Sequence, residues 1–474
     1  MKRVLIIGGG ISGLAAAHFL RLHSLTDGPP IQCSLVERSP HFGGLIRTEK
    51  VDSFIIEGGP DSFISQKPWA LDLCRQLGLN DQLIPSNDGL RKTYVLCKGK
   101  LIELPDGIML MAPTKVGPFL RSPLISWPGK LRMALDWVLP AKSPSADETV
   151  ASFVRRRLGR EALEKIAEPL IGGIYGADVE QLSLRSTFPM FLDMEARHGS
   201  LLRGLLRRPS LSATSAGNST SLFVTLRGGL SDLVKTLIDR LDGVELLPNR
   251  HIVTLTRAAS TKDALPPYRA MLADGSEIPA DALVLAMPAP RAAEILRAIQ
   301  PSAANRLEQV PYTSAATISL AFARRDLAAW PVGFGFVVPH AAMRPLIACT
   351  WSSNKFSFRS DSEHLLVRGF AGGAHNSHLV DLDDDALVSL LRAELQAVAG
   401  IIATPILARV FRWRQAMPQY PLGHADQMAR VQEDLAATPG LFLAGNAYNG
   451  IGLPDCINSG AQAARQVINY LKAL

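Results

Sequence analysis

MKRVLIIGGGISGLAAAHFL, residues 1–20, is the stretch whose reading decides the fold. Arg3 to Ile7 are a short run rich in Val, Leu and Ile, the composition of a parallel strand buried on both faces. Gly8, Gly10 and Gly13 follow as GxGxxG, with Gly9, Ile11 and Ser12 between them. The first glycine permits the tight turn. The second lets bare backbone approach a pyrophosphate, and the third lets the next helix pack closely on the strand. That helix aims free N–H groups and a partial positive charge at an anion. A second apolar run, QCSLVER (32–38), carries Glu37 and Arg38. An acidic side chain at Glu37 accepts hydrogen bonds from a ribose diol. The pattern predicts an α/β domain that binds a dinucleotide.

The next segment, RSPHFGGLIRT (38–48), pairs Gly43 with Gly44 ahead of Leu45, Arg47 and Thr48. It resembles the second glycine signature of FAD-binding oxidases of the amine-oxidase and phytoene-desaturase type. Again bare backbone can pass close to a cofactor. Near the C-terminus, GLFLAGNAYNGIGLPDCINSGAQAARQVINYL (440–471) reads as a strand over 441–444, a glycine loop and a helix from about Ile457. In FAD enzymes of this architecture such a segment returns to the flavin, which implies cofactor contacts for Gly445, Asn446, Gly452, Leu453 and Pro454. Asn446 stands where many such flavoproteins carry Asp; it can bond a ribityl hydroxyl but adds no charge. The helix start is expected to bring a positive dipole end to the flavin pyrimidine. SLFVTLRGGLSDLVKTLIDRLDGVELLPNRHIVTL (221–255) adds strand, Gly-Gly turn, amphipathic helix (Leu230, Leu233, Leu237, Leu241) and strand. ALVLAMPAP (282–290) adds a buried strand ending in a proline turn.

Four further segments narrow the resemblance: EGGPDSFISQKP (57–68), LRGGLSDL (226–233), RWRQAMPQYPLGH (412–424) and GIGLPDCINSG (450–460). Together they resemble the oxygen-dependent protoporphyrinogen/coproporphyrinogen oxidase family of heme synthesis, over nearly the whole chain. The resemblance implies an α/β fold with a Rossmann-like FAD-binding domain of the amine-oxidase type (1–75, 216–290, 413–474). It implies a mixed-sheet substrate domain (76–105, 291–412) and a helical, substrate- or membrane-facing subdomain (106–215). It also implies removal of six electrons from a porphyrinogen, with O2 reduced to H2O2. Hydride transfer then belongs to flavin N5, so no catalytic side chain is required. None is evident: the ten histidines form neither HxxxH nor HExxH. The implied site residues include Gly59, Pro60, Asp61 and Ser62, beside the flavin or capping their own turn. Ile252 is implied against the adenine, and Trp413 near the flavin or as a core residue. Lys67 is implied at a substrate propionate, against the alternative of an exposed loop lysine. A flavin amine oxidase or a carotenoid-type desaturase on the same fold is the rival. Amine oxidases of this fold often carry a lysine beside the flavin, and VPYTSAATISLAFARR (310–325) has none. Coproporphyrinogen III and protoporphyrinogen IX both stay open as substrate.

Composition bounds the remaining classes. With 474 residues the chain is long enough for two or three domains, and 47% hydrophobic against 20% charged residues is the balance of a folded protein. A net charge of +7 suits a carboxylate substrate or a membrane surface, or is a scatter of surplus Arg. No nucleic-acid recognition motif accompanies it, so nucleic acid is not an expected partner. Five cysteines without CxxC argue against a disulfide framework or zinc knuckle. No signal peptide is expected, and no long apolar run is present. A cytoplasmic place is expected, with a peripheral position on the inner face of the cell membrane left open. Residues 106–145 combine Met109, Leu110, Met111, Trp127 and Trp137 with Lys115, Arg121, Lys130, Arg132 and Lys142. Arg197, Arg203, Arg207 and Arg208 follow in a Ser/Thr/Gly-rich stretch that predicts mobility. Two readings stay open: a monotopic membrane surface, or a helical subdomain whose apolar groups line the substrate pocket.

Overall fold

The computed structural model describes residues 1–26, 30–142, 147–207, 221–258 and 267–474. The expected Ser/Thr/Gly-rich stretch, with Arg208, falls largely outside them.

The opening run forms the strand Lys2–Ile7 at the centre of a five-stranded parallel sheet. Its neighbours are Ile31–Val36, then Val244–Leu247, on one side and Ala282–Leu285, then Leu441–Leu443, on the other. Strand pleating sends Val4 and Ile6 to one face and Leu5 and Ile7 to the other, and all four are buried. Val4 and Ile6 meet Leu14, Leu233, Leu237 and Ala464 from three helices. Leu5 and Ile7 meet Leu255, Tyr268, Ala292 and Val431 on the opposite face. The helix Ile11–Thr26 packs against the C-terminal helix Leu453–Lys472, and Gly460 permits the approach: a Cβ there would lie 2.2 Å from Ser12 O. That C-terminal helix starts four residues before the expected Ile457, because Pro454 fits the first turn of a helix, where its missing N–H costs no bond.

A seven-stranded mixed sheet forms the second layer system, ordered Leu407–Pro418, Tyr312–Ala323, His364–Gly372, Leu346–Trp351, Gly335–Val337, Thr93–Cys97, Lys100–Glu103. Its edge strand Leu407–Pro418 runs across the expected boundary at 412/413. One sheet face is covered by the helix Asp384–Ala399 through Leu387, Leu391 and Leu395. The other receives Phe54 and Ile56 from the N-terminal part.

Helices between Val116 and Arg207 enclose a separate core that includes Phe153, Ile166, Phe191 and Tyr420. Of the basic residues counted in this region, several are used internally. Lys130 is buried, with Nζ donating to Leu120 O and Ser122 O at 2.8 and 2.9 Å. Arg132 donates to the carbonyls of Arg155, Arg156 and Arg157, the last turn of a helix. Lys115 pairs with Asp106. Apolar side chains take the outer surface instead: Trp127 is 65%, Leu131 69% and Val138 72% exposed.

Candidate active site

Four glycine-bearing segments converge beyond the ends of the parallel strands. Gly43 N donates to Gly9 O at 2.8 Å, and Gly10 and Gly43 form a β-bridge. Gly59 presses against the same loop; a Cβ on it would sit 1.7 Å from Leu45 O. Gly8 and Gly13 are equally closed, with Ala286 O and Gly8 O about where their Cβ atoms would lie. Gly10 differs. A Cβ there would meet only the Gly44 Cα, at 3.9 Å, and at Gly445 only Tyr448 and Met287 O, at 3.7 and 3.9 Å. Gly8, Gly13 and Gly59 are therefore bare because the protein packs against them, whereas Gly10 and Gly445 face open space that a ligand can fill. The helix from Ile11 has no acidic residue in its first turn, so its N–H groups keep their partial positive charge. These features fit a pyrophosphate-bearing cofactor.

Glu37 lies at this end of its strand. Its two carboxylate oxygens accept from Gly9 N and Ser39 N, each at 2.7 Å, and each oxygen keeps a further lone pair. Arg38 is exposed beside it and Leu45 is half-buried. Ile252 opens the strand next to Glu37, where Arg250 N donates to Glu37 O at 2.9 Å, but its side chain is buried in the core beneath the sheet.

The Gly58–Pro60 turn is held by donors from the mixed sheet. Gly58 O accepts from Thr317 Oγ1 and Trp413 Nε1, both at 2.8 Å, and from Arg368 at 3.1 Å. Arg368 also reaches Gly59 O. Trp413 thus stands against the turn. Asp61 accepts from Ser62 Oγ at 2.7 Å and from Lys355 Nζ at 3.0 Å. Burial acts to raise the Asp61 carboxyl, but Lys355 and Arg368 outweigh it and hold the group well below the usual carboxylate range. Glu57, one strand residue before the turn, pairs with Arg359 at 3.0 Å and accepts from Leu230 N at 2.8 Å.

Gly452, Leu453 and Pro454 begin the C-terminal helix, and its first turn carries the buried Asp455. Lys67 Nζ donates to both Asp455 oxygens, at 2.6 and 2.7 Å. This ion pair staples the segment after the Gly58–Pro60 turn to the helix start. It also puts a negative charge where the sequence predicts only a positive dipole end. Asn446 projects from the loop ahead of this helix. Asn446 O accepts from the Tyr420 hydroxyl at 2.5 Å, and the same hydroxyl accepts from Gly450 N at 2.9 Å. Tyr420 is buried and stacks on His424, ring centroids 4.2 Å apart. Burial pushes the His424 imidazole down to about 4, so the stack is neutral at ordinary pH. The cysteines are free; burial pushes Cys33, Cys74 and Cys456 up to about 12, which leaves them protonated and inert.

Sequence reasoning missed Lys355, Arg359, Arg368 and Tyr420. Tyr420 had a signal in the MPQYPLGH segment, whose resemblance implies no role for the tyrosine. The three basic residues had none, since their partners lie about 300 positions away.

A family model described as flavin containing amine oxidoreductase matches residues 11–468. A coproporphyrinogen III oxidase from Bacillus subtilis (strain 168) is 35% identical over 99% of this chain and 98% of its own. Protoporphyrinogen oxidase 2, chloroplastic/mitochondrial, from Arabidopsis thaliana is 25% identical over 100% and 95%. Among solved structures, a protein from Exiguobacterium sp. 255-15, provisionally assigned as a protoporphyrinogen oxidase, superposes with a TM-score of 0.85 at 32% identity, covering 99% of each chain. A cyclohexylamine oxidase from Brevibacterium oxydans shares the fold, with a TM-score of 0.67 at 17% identity over 99% of each chain. With the glycine cradle, the parallel sheet and these likenesses together, the chain belongs to the flavin containing amine oxidoreductase family and is a flavin-dependent oxidoreductase.

Proposed function

We propose that this chain is an FAD-dependent oxidase of porphyrinogens, with coproporphyrinogen III as the substrate and O2 as the electron acceptor. The observation that carries this reading is the 35% identity, over nearly all of both chains, to a protein named coproporphyrinogen III oxidase. The amine-oxidase rival rests on a neighbour at 17% identity, a likeness of fold alone. The strand Tyr312–Ala323, moreover, contains no lysine.

In this reading Gly8–Gly13 and Gly43–Leu45 hold the pyrophosphate, and Glu37 the adenosine ribose. Gly59–Ser62, Trp413, Gly445, Asn446 and Gly452–Pro454 flank the rest of the cofactor. When bound, FAD accepts hydride equivalents from the macrocycle and returns them to O2. Three two-electron steps convert one porphyrinogen and three O2 into one porphyrin and three H2O2. The chain's own residues bind, orient and exclude water. Lys67 uses two of its three N–H donors on Asp455 and keeps one for a substrate propionate. Arg368, Thr317 and Trp413 fix the carbonyl of the turn behind it, and Tyr420 fixes the Asn446–Gly450 loop.

The exposed Trp127, Leu131 and Val138, with the exposed Arg121 at the end of the preceding helix, support a second element of the reading. We infer that this face rests on an anionic lipid surface from which a poorly soluble macrocycle enters. No described helix is long and apolar enough to cross a membrane.

The test is aerobic porphyrin fluorescence from purified yellow protein, with coproporphyrinogen III and protoporphyrinogen IX offered in parallel. Coproporphyrin formation with stoichiometric peroxide is expected. Silence with both substrates, from protein that releases FAD on denaturation, would remove the reading. Gly10→Val, which fills the open cradle, is expected to purify colourless. Flotation with phosphatidylglycerol vesicles tests the lipid face, and protein left at the bottom of the gradient would dismiss it.

A further inference from the structure

A second pocket-forming region stands apart from the glycine loops. It is an open cleft between the helix Glu168–Tyr175 of the helical region and the strand ends of the mixed sheet. Its floor is bare backbone: Gly172, Gly173 and Gly176 from the helix end, Gly372 and Gly373 from the sheet. Ala374 N donates to Gly176 O at 2.9 Å and closes the floor. Pro169, Val338, Leu346 and Ile347 add an apolar lining, and such a surface accommodates a broad flat group.

Its rim is polar. His340 and His375 come from two short helical turns, His340–Ala342 and Gly373–Asn376, and stack face to face, centroids 3.8 Å apart and planes inclined by 19°. Both are exposed on the pocket side, and among the described residues neither imidazole has a hydrogen-bond partner. Arg344 lines the same rim; its contact with Glu394, at 3.2 Å, engages only part of a five-donor guanidinium. Each imidazole keeps a free N–H donor, and donors from two stacked rings with the Arg344 guanidinium suit the oxygens of one carboxylate. We propose that His340, His375 and Arg344 form a carboxylate-binding subsite, which seats a propionate of the macrocycle at the end of the pocket remote from the glycine loops.

The proposal rests on the porphyrinogen reading and deepens it. Position supports it. The inner end of the helix meets the segment that holds the flavin loop, since Gln419 Nε2 donates to Tyr175 O at 3.3 Å and Tyr420 bonds Asn446 O. Glu168 lies two helical turns earlier on the same face as Tyr175, about 10 Å along the axis. His340 N donates to Glu168 at 3.1 Å, which sets the rim at that distance. This separation is comparable with the span of a tetrapyrrole. Charge supports it as well. Glu168 is the one acid lining the pocket among the described residues, and burial pushes its carboxyl up to about 7. Near neutral pH it therefore carries less than a full negative charge. Burial and the neighbouring His340 lower the His375 imidazole, and Asp178 opposes them only in part. A carboxylate arriving at the rim adds a negative charge that favours the protonated ring. Coproporphyrinogen III has four propionates and protoporphyrinogen IX two, so the subsite favours the former.

The experiment compares wild type, the double variant His340→Ala/His375→Ala, and His340→Gln/His375→Gln. Each is assayed with coproporphyrinogen III, and flavin content is measured by absorbance. Both side chains are exposed, so the variants are expected to fold and load normally. The alanine variant should raise KM about tenfold with kcat within twofold, the signature of lost ground-state binding at a charge-assisted contact. The glutamine variant, which keeps N–H donors, should recover part of that loss. A KM within twofold of wild type in the alanine variant overturns the subsite while leaving the porphyrinogen reading intact. Wild type that oxidises no porphyrinogen overturns both.

Discussion

Two buried charge clusters in this chain are built on opposite plans. In the helical region Arg157 and Asp136 are both completely buried, and all their side-chain polar atoms are bonded. Arg157 donates to Asp136, to Asp136 O and to Gly199 O; Asp136 accepts in addition from Ser200 Oγ and Leu202 N. Beside the Gly58–Pro60 turn, Glu57, Asp61, Lys355, Arg359 and Arg368 are also packed together. There Arg359 Nη1 and Arg368 Nε are buried without a protein partner among the described residues, and both residues line one small cavity. The first cluster is closed and serves packing. The second leaves donors for water or for a bound molecule, which is the arrangement expected where a protein meets its ligand.

Removing one partner separates the two plans. Asp136→Ala leaves the buried Arg157 with only Glu195, at 3.5 Å, as a counter-charge, and a stability loss of about 3–5 kcal/mol is expected. Denaturation followed by circular dichroism measures it, and an unchanged midpoint would show that water reaches Arg157. Arg368→Met is expected to cost less, about 1–3 kcal/mol, because Gly58 O keeps Thr317 and Trp413. Its larger effect should fall on the cofactor, read as faster flavin release on dilution. Equal retention of flavin by both variants would erase the contrast. Tyr420→Phe removes a hydroxyl that makes two bonds to the Asn446–Gly450 loop. About 1 kcal/mol is at stake, or roughly a fivefold weaker flavin Kd at unchanged thermal midpoint. A drop in the midpoint without a change in Kd would make Tyr420 a packing residue only.

The same contrast explains what the sequence discloses. Gly8, Gly13 and Gly59 are legible because a local backbone requirement is written in the identity of one residue. So is the pleat of Lys2–Ile7, where apolar residues serve two cores. The cluster at Gly58 is not local: Arg368 and Gly58 are 310 positions apart, and only the fold brings them together. Charge counts mislead for a related reason. Lys130 and Arg132 look like an exposed basic face, yet both bond backbone carbonyls inside the helical region. Lys67 likewise reads as a free cation until Asp455, 388 positions later, is found against it.

Glu168 gives the smallest effect and the finest test, because it belongs to neither cluster. Its carboxyl is pushed by burial from an ordinary value of 4.5 up to about 7, with the His340 N–H opposing the shift. The folded state therefore holds this proton more tightly than the unfolded chain. Below pH 4.5 both states are protonated and the group contributes no pH dependence. Between 4.5 and 7 the unfolded chain ionises first, so stability falls as pH rises; above 7 the full cost is present and the slope vanishes. Glu168→Gln cannot ionise, and its stability relative to wild type should grow from pH 5 to pH 8. The side chain faces a pocket that water enters, so screening reduces the effect below what the shift alone implies. A pH-independent difference between the two proteins would mean that Glu168 is solvated like any surface carboxylate. The same variant tests the pocket's charge: wild-type KM for coproporphyrinogen III should rise as pH passes 7 and Glu168 gains its charge, and in Glu168→Gln that part of the rise should disappear. The pH dependence that remains belongs to other groups, which separates the acid beneath the rim from the rest of the pocket.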